Sequence, residues 1–253
     1  MLDWSSSRRY ALPLGAFLGV LALWTGIVHF YEVPSYTFPS PADLADAFSA
    51  TGARLWESSL ITFSTSVAGL GVAAVLGFVI AVIFVRFQAM EQAFMPYVIL
   101  TQTTPVVAVA PLIVLWAGSG LTSRVIVSAL ICFFPIVVNS VKGFRSADRS
   151  QLELLHTYSA QPRQEMAMLR FPAALPDMFA SLRISATLCV VGSIVAELVT
   201  GNSGLGFLIL QASYSLDTPL VFAAVLCSAL MGVGLFIAVA GVERLIPQCR
   251  HGL

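Results

Sequence analysis

Six stretches of this chain are apolar for long enough to cross a lipid bilayer, and nothing else in it constrains the fold as strongly. They run approximately over 10–30, 60–85, 94–117, 125–141, 179–199 and 219–242. A bilayer core needs about 20 apolar residues per helix. Only 10% of the 253 residues are charged and 58% are hydrophobic, against about 25% charged in an ordinary soluble domain. Thirteen basic and 13 acidic side chains could not cover the surface of a soluble protein of this size, and the mean hydropathy of +0.88 agrees. Strands of a membrane β-barrel alternate apolar with polar residues and never give such runs. The fold class is therefore all-α integral membrane, with six transmembrane helices in a single domain spanning 1–253. Pro105 and Pro111 in the third span and Pro135 in the fourth are expected to kink their helices, with neighbours satisfying the freed carbonyls.

Basic residues set the orientation. With the N-terminus in the cytoplasm, the inner segments hold Arg8, Arg9, Arg86, Lys142, Arg145, Arg149, Arg163, Arg170, Arg183, Arg244 and Arg250, and the outer ones hold only Arg54 and Arg124. Eleven against two places both termini of this multi-pass membrane protein in the cytoplasm. Ser7-Arg8-Arg9 looks like a twin-arginine signal. The apolar stretch after it is too long, and no A-x-A site follows closely, so the first span is read as retained.

Formal net charge is zero, which gives no sign of a nucleic-acid partner. The spacing of Cys132, Cys189, Cys227 and Cys249 fits neither a disulfide framework nor a zinc site. The first three fall in apolar runs, where cysteine behaves as a small hydrophobe. His29, His156 and His251 lie far apart and read as interfacial or solvated residues rather than metal ligands.

Three connections are long enough to carry function. The outer segment 32–59 contains Pro34, Pro39 and Pro41. It reads as extended chain followed by a short amphipathic helix over Pro41–Thr51, with Asp43 and Asp46 near the positive end of its dipole. The outer segment 201–218 opens with the turn-rich Gly201-Asn202-Ser203-Gly204-Leu205-Gly206. Phe207–Leu210 then forms an apolar stretch too short to span, which is expected to dip into the outer mouth. The cytoplasmic segment 142–177 carries a short helix over Glu153–Ala160, and Pro162 suits the first turn of a second. Pro172 and Pro176 are expected to prevent a simple continuation into the fifth span. This segment is either a solvated loop held at the membrane surface by its arginines or a docking element for another protein.

Some chemistry is absent. Lys142 is the only lysine, and Val141 before it and Gly143 after it do not make a phosphate-binding loop. H-E-x-x-H is missing, and no G-x-S-x-G has a suitably placed histidine, so the chain is not expected to be an enzyme. Ion coupling normally places several charged residues inside spans. The second, third and fourth spans carry none, and Glu197 is the sole carboxylate in a span core. It is either an interfacial residue bonded to the nearby outer loop or a polar group of an outer gate. Thr101-Gln102-Thr103-Thr104, Thr187 and Ser193 either line a water-filled path, since neutral polar groups avoid the desolvation cost of charges, or bond adjacent helices. By polarity and depth the path residues are Gln102, Thr104, Ser193 and Glu197. Gly15 and Gly19, Gly69, Gly71 and Gly77, Gly192, and Gly232, Gly234 and Gly241 would allow close helix packing.

The stretch Glu153-Leu154-Leu155-His156-Thr157-Tyr158-Ser159-Ala160, followed by Leu169-Arg170-Phe171-Pro172-Ala173-Ala174-Leu175-Pro176, resembles the EAA loop of binding-protein-dependent ABC transporter permeases. That loop reads E-A-A-x-x-x-G and then, after about nine residues, an apolar L-P. Leu154 and Leu155 stand at the two alanines and Ser159 at the glycine, a change at the turn most characteristic of the loop. Pro105-Val106-Val107-Ala108-Val109-Ala110-Pro111-Leu112-Ile113-Val114-Leu115-Trp116, Phe133-Phe134-Pro135-Ile136-Val137-Val138-Asn139, Ala196-Glu197, Gly204-Leu205-Gly206 and the early Pro39-Ser40-Pro41 resemble the nitrate/sulfonate/taurine branch of that family. Together these matches cover most of the chain.

The resemblance implies a type I ABC importer permease fold working as a two-fold dimer, most simply a homodimer in the lipid bilayer. ATP would be bound by a separate cytoplasmic ATPase, and an extracytoplasmic binding protein would deliver the solute. Glu153–Ala160 would be the coupling helix seated on the ATPase, with Arg163 and Arg170 orienting it. Glu197 with Gly204, Leu205 and Gly206 would form the outer gate. The branch handles nitrate, bicarbonate, alkanesulfonates and taurine, but also riboflavin and pyrimidine precursors of thiamine. No lysine or buried arginine lines the expected path, which disfavours tight anion binding there, although selection would rest largely with the binding protein. The rival reading is an ion-coupled secondary transporter or channel acting without an ATPase; a further rival is a membrane scaffold with no transport role.

Overall fold

The computed structural model describes residues 4–246; Cys249, Arg250 and His251 lie outside the described residues. Among the described residues ten helices follow one another: α1 (Trp4–Phe30), α2 (Pro41–Arg86), α3 (Gln88–Thr103), α4 (Val106–Ala117), α5 (Leu121–Arg145), α6 (Arg149–Thr157), α7 (Pro162–Glu165), α8 (Phe171–Thr200), α9 (Leu205–Tyr214) and α10 (Thr218–Arg244). A π-helical turn, Met166–Arg170, joins α7 to α8. Among the described residues, α2, α5, α10 and the continuous rod Pro162–Thr200 are each long and apolar enough to cross a membrane, and α3 with α4 makes one more if the bent pair is counted together. Leu14–Phe30 of α1 is apolar but shorter.

The centre is a bundle of α2, α5 and α8. It is tight because its facing residues are small. A Cβ on Gly192 of α8 would lie 2.7 Å from the Ser128 Cα of α5, and one on Gly69 of α2 would lie 2.4 Å from the Ser128 hydroxyl. Ser128 donates to the Cys189 carbonyl at 2.9 Å. Around this seam Ala73, Ala129, Cys132, Ile136, Ala186, Cys189 and Val190 are buried together. Cys132, Cys189 and the half-buried Cys227 are free thiols, as their apolar setting suggests. α5 and α8 run antiparallel, so the α6–α7 link lies at one end of the bundle and α9 at the other. α10 packs on α2 and α8, and Leu220, Ala223 and Ala224 close a cluster with Leu55, Leu205, Leu208 and Ala212. α1 stands apart. It is pinned where Trp24 donates to the Pro39 carbonyl at 3.0 Å and its ring sits 5.8 Å from that of Phe38.

Three local expectations change. The short helix expected over Pro41–Thr51 is not separate; it forms the first turns of the 46-residue α2. Ser40 and Asp43 make a reciprocal capping box (3.2 and 2.8 Å), Pro41 takes the first helical position, and Gly52 alone is too weak a breaker to stop the helix. The third span is not kinked but broken, with α3 and α4 meeting at 102°. Pro105 forces Thr104 out of the helical region (φ −75°, ψ 125°) and supplies no N–H. Pro96, Pro111 and Pro135 remain inside helices. Pro172 and Pro176 do not separate the cytoplasmic segment from the fifth span, since the chain is helical from Pro162 to Thr200. The π turn explains this for Pro172; Pro176 is carried within ordinary helix. In the π turn the Phe171 N–H bonds back five residues to the Met166 carbonyl, and the widened turn relieves the clash a proline ring makes with the carbonyl four residues earlier.

Candidate functional site

The α6–α7 element is built from its caps. Asp148 accepts the Ser150 N–H at 3.1 Å and starts α6. At the far end the Ser159 N–H bonds the His156 carbonyl at 2.9 Å and the Ala160 N–H bonds that of Leu155 at 3.0 Å, which is a Schellman cap. Such a cap needs a left-handed residue, and Ser159 adopts φ +54°. The serine therefore keeps the backbone turn that the glycine of the family pattern would make. Ser159→Gly is expected to raise stability by about 0.5–1 kcal/mol, because a Cβ costs about that much in this region. The check is the thermal midpoint of the solubilised protein; a lowered midpoint would contradict a left-handed Ser159.

No residue of α6 is buried. Leu154 and Tyr158 are 57% and 77% exposed. Glu153 pairs only with Arg149 of its own helix at 3.8 Å, an exposed contact of little energy. His156, Thr157 and Arg163 are exposed, and Leu155 and Ala160 half-buried. Arg170 lies at the root of the element. Its Nε donates to Glu165 at 2.6 Å and its Nη1 to the Phe144 carbonyl of α5 at 3.1 Å, so it ties the π turn to the end of α5. Arg170→Lys is expected to cost about 1–2 kcal/mol, since an ammonium cannot bridge both acceptors as the planar fork does. Urea titration of the purified protein followed by circular dichroism reads this; a midpoint equal to wild type would show that the fork does not matter.

At the α9 end, the Glu197 carboxylate of α8 is completely buried. It accepts the Gly206 N–H at 2.9 Å and the Thr62 hydroxyl of α2, 2.9 Å from both its oxygens. The Thr62 oxygen in turn accepts the Leu205 N–H at 2.9 Å. The glycines flanking Leu205 leave room for this knot. A Cβ on Gly204 (φ +96°) would stand 2.2 Å from the Glu197 Cδ, and one on Gly206 would stand 2.5 Å from the Ile194 carbonyl oxygen. Nearby, buried Arg124 donates to Ser203 at 3.0 Å.

The third feature is a cleft of about 290 Å³ beside the α3–α4 break. Thr101 and Gln102 from α3, Val106 from α4, Phe134 and Asn139 from α5, and Ile184 and Leu188 from α8 line it. The structure thus sorts the expected residues into separate places. Glu197 meets Gly204, Leu205 and Gly206. Gln102 lies in the cleft, while Thr104 is exposed at the break and bonds the Leu100 carbonyl at 2.7 Å. Ser193 is sealed inside the bundle and bonds Ser66 at 3.0 Å.

Sequence reasoning passed over Thr62, Ser66 and Ser203. A signal for the first two existed. Ser58, Ser59, Thr62, Thr65 and Ser66 recur at three- and four-residue spacing in an otherwise apolar helix, which marks one polar face. Asn139 was read only as part of the fourth-span pattern, and its place opposite Gln102 depends on the break in the third span.

Known proteins are similar to this chain in sequence and fold. The family described as the inner membrane component of binding-protein-dependent transport systems matches residues 73–247. The riboflavin transport system permease protein of Chloroflexus aurantiacus is 37% identical over 239 residues, covering 94% of this chain and 89% of the relative. The formylaminopyrimidine transport permease protein of Halalkalibacterium halodurans is 32% identical, covering 94% and 95%. A putative aliphatic sulfonates transport permease protein of Bacillus subtilis is 28% identical, covering 89% and 83%. Among solved structures, one of an amino acid ABC transporter with histidines aligns with a TM-score of 0.63 at 16% identity, covering 79% of this chain and 97% of that one.

Proposed function

The chain belongs to the family of inner membrane components of binding-protein-dependent transport systems and is a permease subunit of an ABC importer, and from this premise we propose how its parts divide the work. α1 and the broken α3–α4 pair complete six spans. Both termini face the cytoplasm, because the inner segments then carry the basic residues and the buried Arg124 serves the packing of the outer loop. The α6–α7 element seats in a cytoplasmic ATPase that binds and hydrolyses the ATP. Leu154 and Tyr158 supply the buried contact, Glu153 and Arg163 the rim, and Arg170 the rigid root. A second copy of the chain completes the path.

The path runs along the α3–α4 break. Non-helical backbone at membrane depth is tolerated only against protein or a water-filled cavity. The Thr101 carbonyl has lost its usual donor because Pro105 lacks an N–H. That face therefore turns toward the solute path, with Gln102 and Thr104 on it and Ser193 holding α8 against α2 behind it. Glu197, with Gly204, Leu205 and Gly206, closes the outer end.

One observation carries this reading. A single helical rod, Pro162–Thr200, begins in the coupling element and ends at the Glu197 knot. Motion of the ATPase at its cytoplasmic end would be delivered to the outer gate along unbroken helix. The solute, handed over by an extracytoplasmic binding protein, is either a sulfonate-type anion or an uncharged heterocycle, the two chemistries named for the relatives. The test is uptake into proteoliposomes carrying this chain, its ATPase and its binding protein. Uptake that requires ATP inside supports the reading. Uptake by the permease alone, driven by an ion gradient and lost on Glu197→Gln, would overturn it in favour of an ion-coupled transporter.

A further inference from the structure

We propose that the cleft beside the α3–α4 break is a solute-selecting subsite within the permease, and that it takes an uncharged planar heterocycle with an amide-like edge rather than a sulfonate anion. This deepens the importer reading and rests on it.

The first argument is charge. No cationic side chain lines the cleft. Lys142, one turn beyond Asn139, is 72% exposed and paired with Asp177 at 3.3 Å. Arg183, next to Ile184, is turned to Glu243 of α10 at 3.2 Å. A sulfonate leaving water at this depth would meet no full positive charge, and an uncompensated charge in a site of low dielectric costs several kcal/mol.

The second argument is hydrogen bonding. Gln102 carries no side-chain hydrogen bond among the described residues, and Asn139 uses one, its Nδ2 donating to the Pro135 carbonyl of its own helix at 2.8 Å. Donor and acceptor capacity therefore faces the cleft from both sides. α4 begins at Val106 after Pro105, which gives no side-chain cap, so the N–H of Val106, in the cleft wall, has no partner within the helix, and the freed Thr101 carbonyl supplies an acceptor. A lactam or amidine edge, which alternates donor and acceptor, fits that mixture. A sulfonate, which only accepts, leaves half of it unused.

The third argument is shape. Phe134 also lines the cleft and offers a ring against which a flat solute can stack. The volume of about 290 Å³ lies at the small end of pockets for organic ligands, about 300–1,000 Å³, enough for one ring system per copy.

The experiment uses the permease–ATPase complex in nanodiscs without the binding protein, so that only the permease selects. Riboflavin is the probe, read by quenching of its own fluorescence, and taurine is the competitor. Saturable quenching is expected. It should weaken at least tenfold in Gln102→Leu and in Asn139→Leu, and a hundredfold excess of taurine should leave it unchanged. Gln102→Arg should make taurine an effective competitor. No saturable quenching, displacement of riboflavin by taurine from the wild type, or wild-type binding by both leucine variants would overturn the proposal. ATP hydrolysis by each preparation separates the two levels. A complex that hydrolyses ATP normally but ignores riboflavin sinks the cleft assignment alone, whereas a chain that captures no ATPase sinks the importer reading beneath it.

Discussion

Gly204→Ala is expected to destabilise the protein by about 4 kcal/mol and to abolish transport. Gly204 sits at φ +96°, ψ 175°, a region essentially reserved for glycine and costing about 1–3 kcal/mol for other residues. Its new methyl would also lie 2.2 Å from the Glu197 Cδ. A flexible carboxylate could ordinarily swing away, but this one is held by the Thr62 hydroxyl and the Gly206 N–H. Moving it strands the Gly206 N–H in a fully buried site, at about 1–3 kcal/mol, while the Thr62 hydroxyl can turn to the Ser58 carbonyl 3.1 Å away. Gly241→Ala is the control, because nothing lies within 4 Å of its added Cβ. Thermal unfolding of the two variants, followed by intrinsic fluorescence, should separate them by about 8–16 °C; equal midpoints would mean that the knot does not hold the α8–α9 loop. Glu197→Gln should be milder than Glu197→Leu, since an amide retains one acceptor and a leucine none.

Leu154→Asp combined with Tyr158→Asp is expected to weaken ATPase binding by a hundredfold or more while leaving the permease folded. Both residues are exposed and on a helix with nothing buried, so the folded chain loses no packing. In a docked complex each substitution would bury an unpaired carboxylate where an apolar anchor had been, and anchors of this kind carry about 2 kcal/mol or more apiece. Surface-immobilised permease titrated with the ATPase reads the affinity. Wild-type binding by the double variant would show that the ATPase seats elsewhere.

Much of this architecture was legible in the chain because the bilayer makes length and apolarity decisive. The fourth and sixth spans were placed within a few residues of α5 and α10. The α6–α7 element was visible through Pro162, although the helix expected over Glu153–Ala160 runs over Arg149–Thr157 and stops at the left-handed Ser159. What escaped depended on geometry between elements. Pro105 signalled a perturbation, but whether a proline kinks a helix or breaks it at 102° depends on what packs against the freed carbonyls. Pro172 signalled a stop, and a π turn absorbed it. Ser159 stood where glycine was expected, and only the backbone could say that its φ of +54° preserves the turn. Glu197 was seen as a lone carboxylate with two readings. Its burial against Gly204 and Gly206 links the carboxylate to the α8–α9 loop, and Thr62, the third member of the knot, lies 135 residues away in sequence.

The most direct test of the central claim is to purify this chain from its native cell in mild detergent and identify what comes with it by mass spectrometry. A P-loop ATPase present in stoichiometric amount, and lost when Leu154 and Tyr158 are both changed to Asp, is the predicted result. A chain that purifies without any ATPase yet moves solute in liposomes would contradict it.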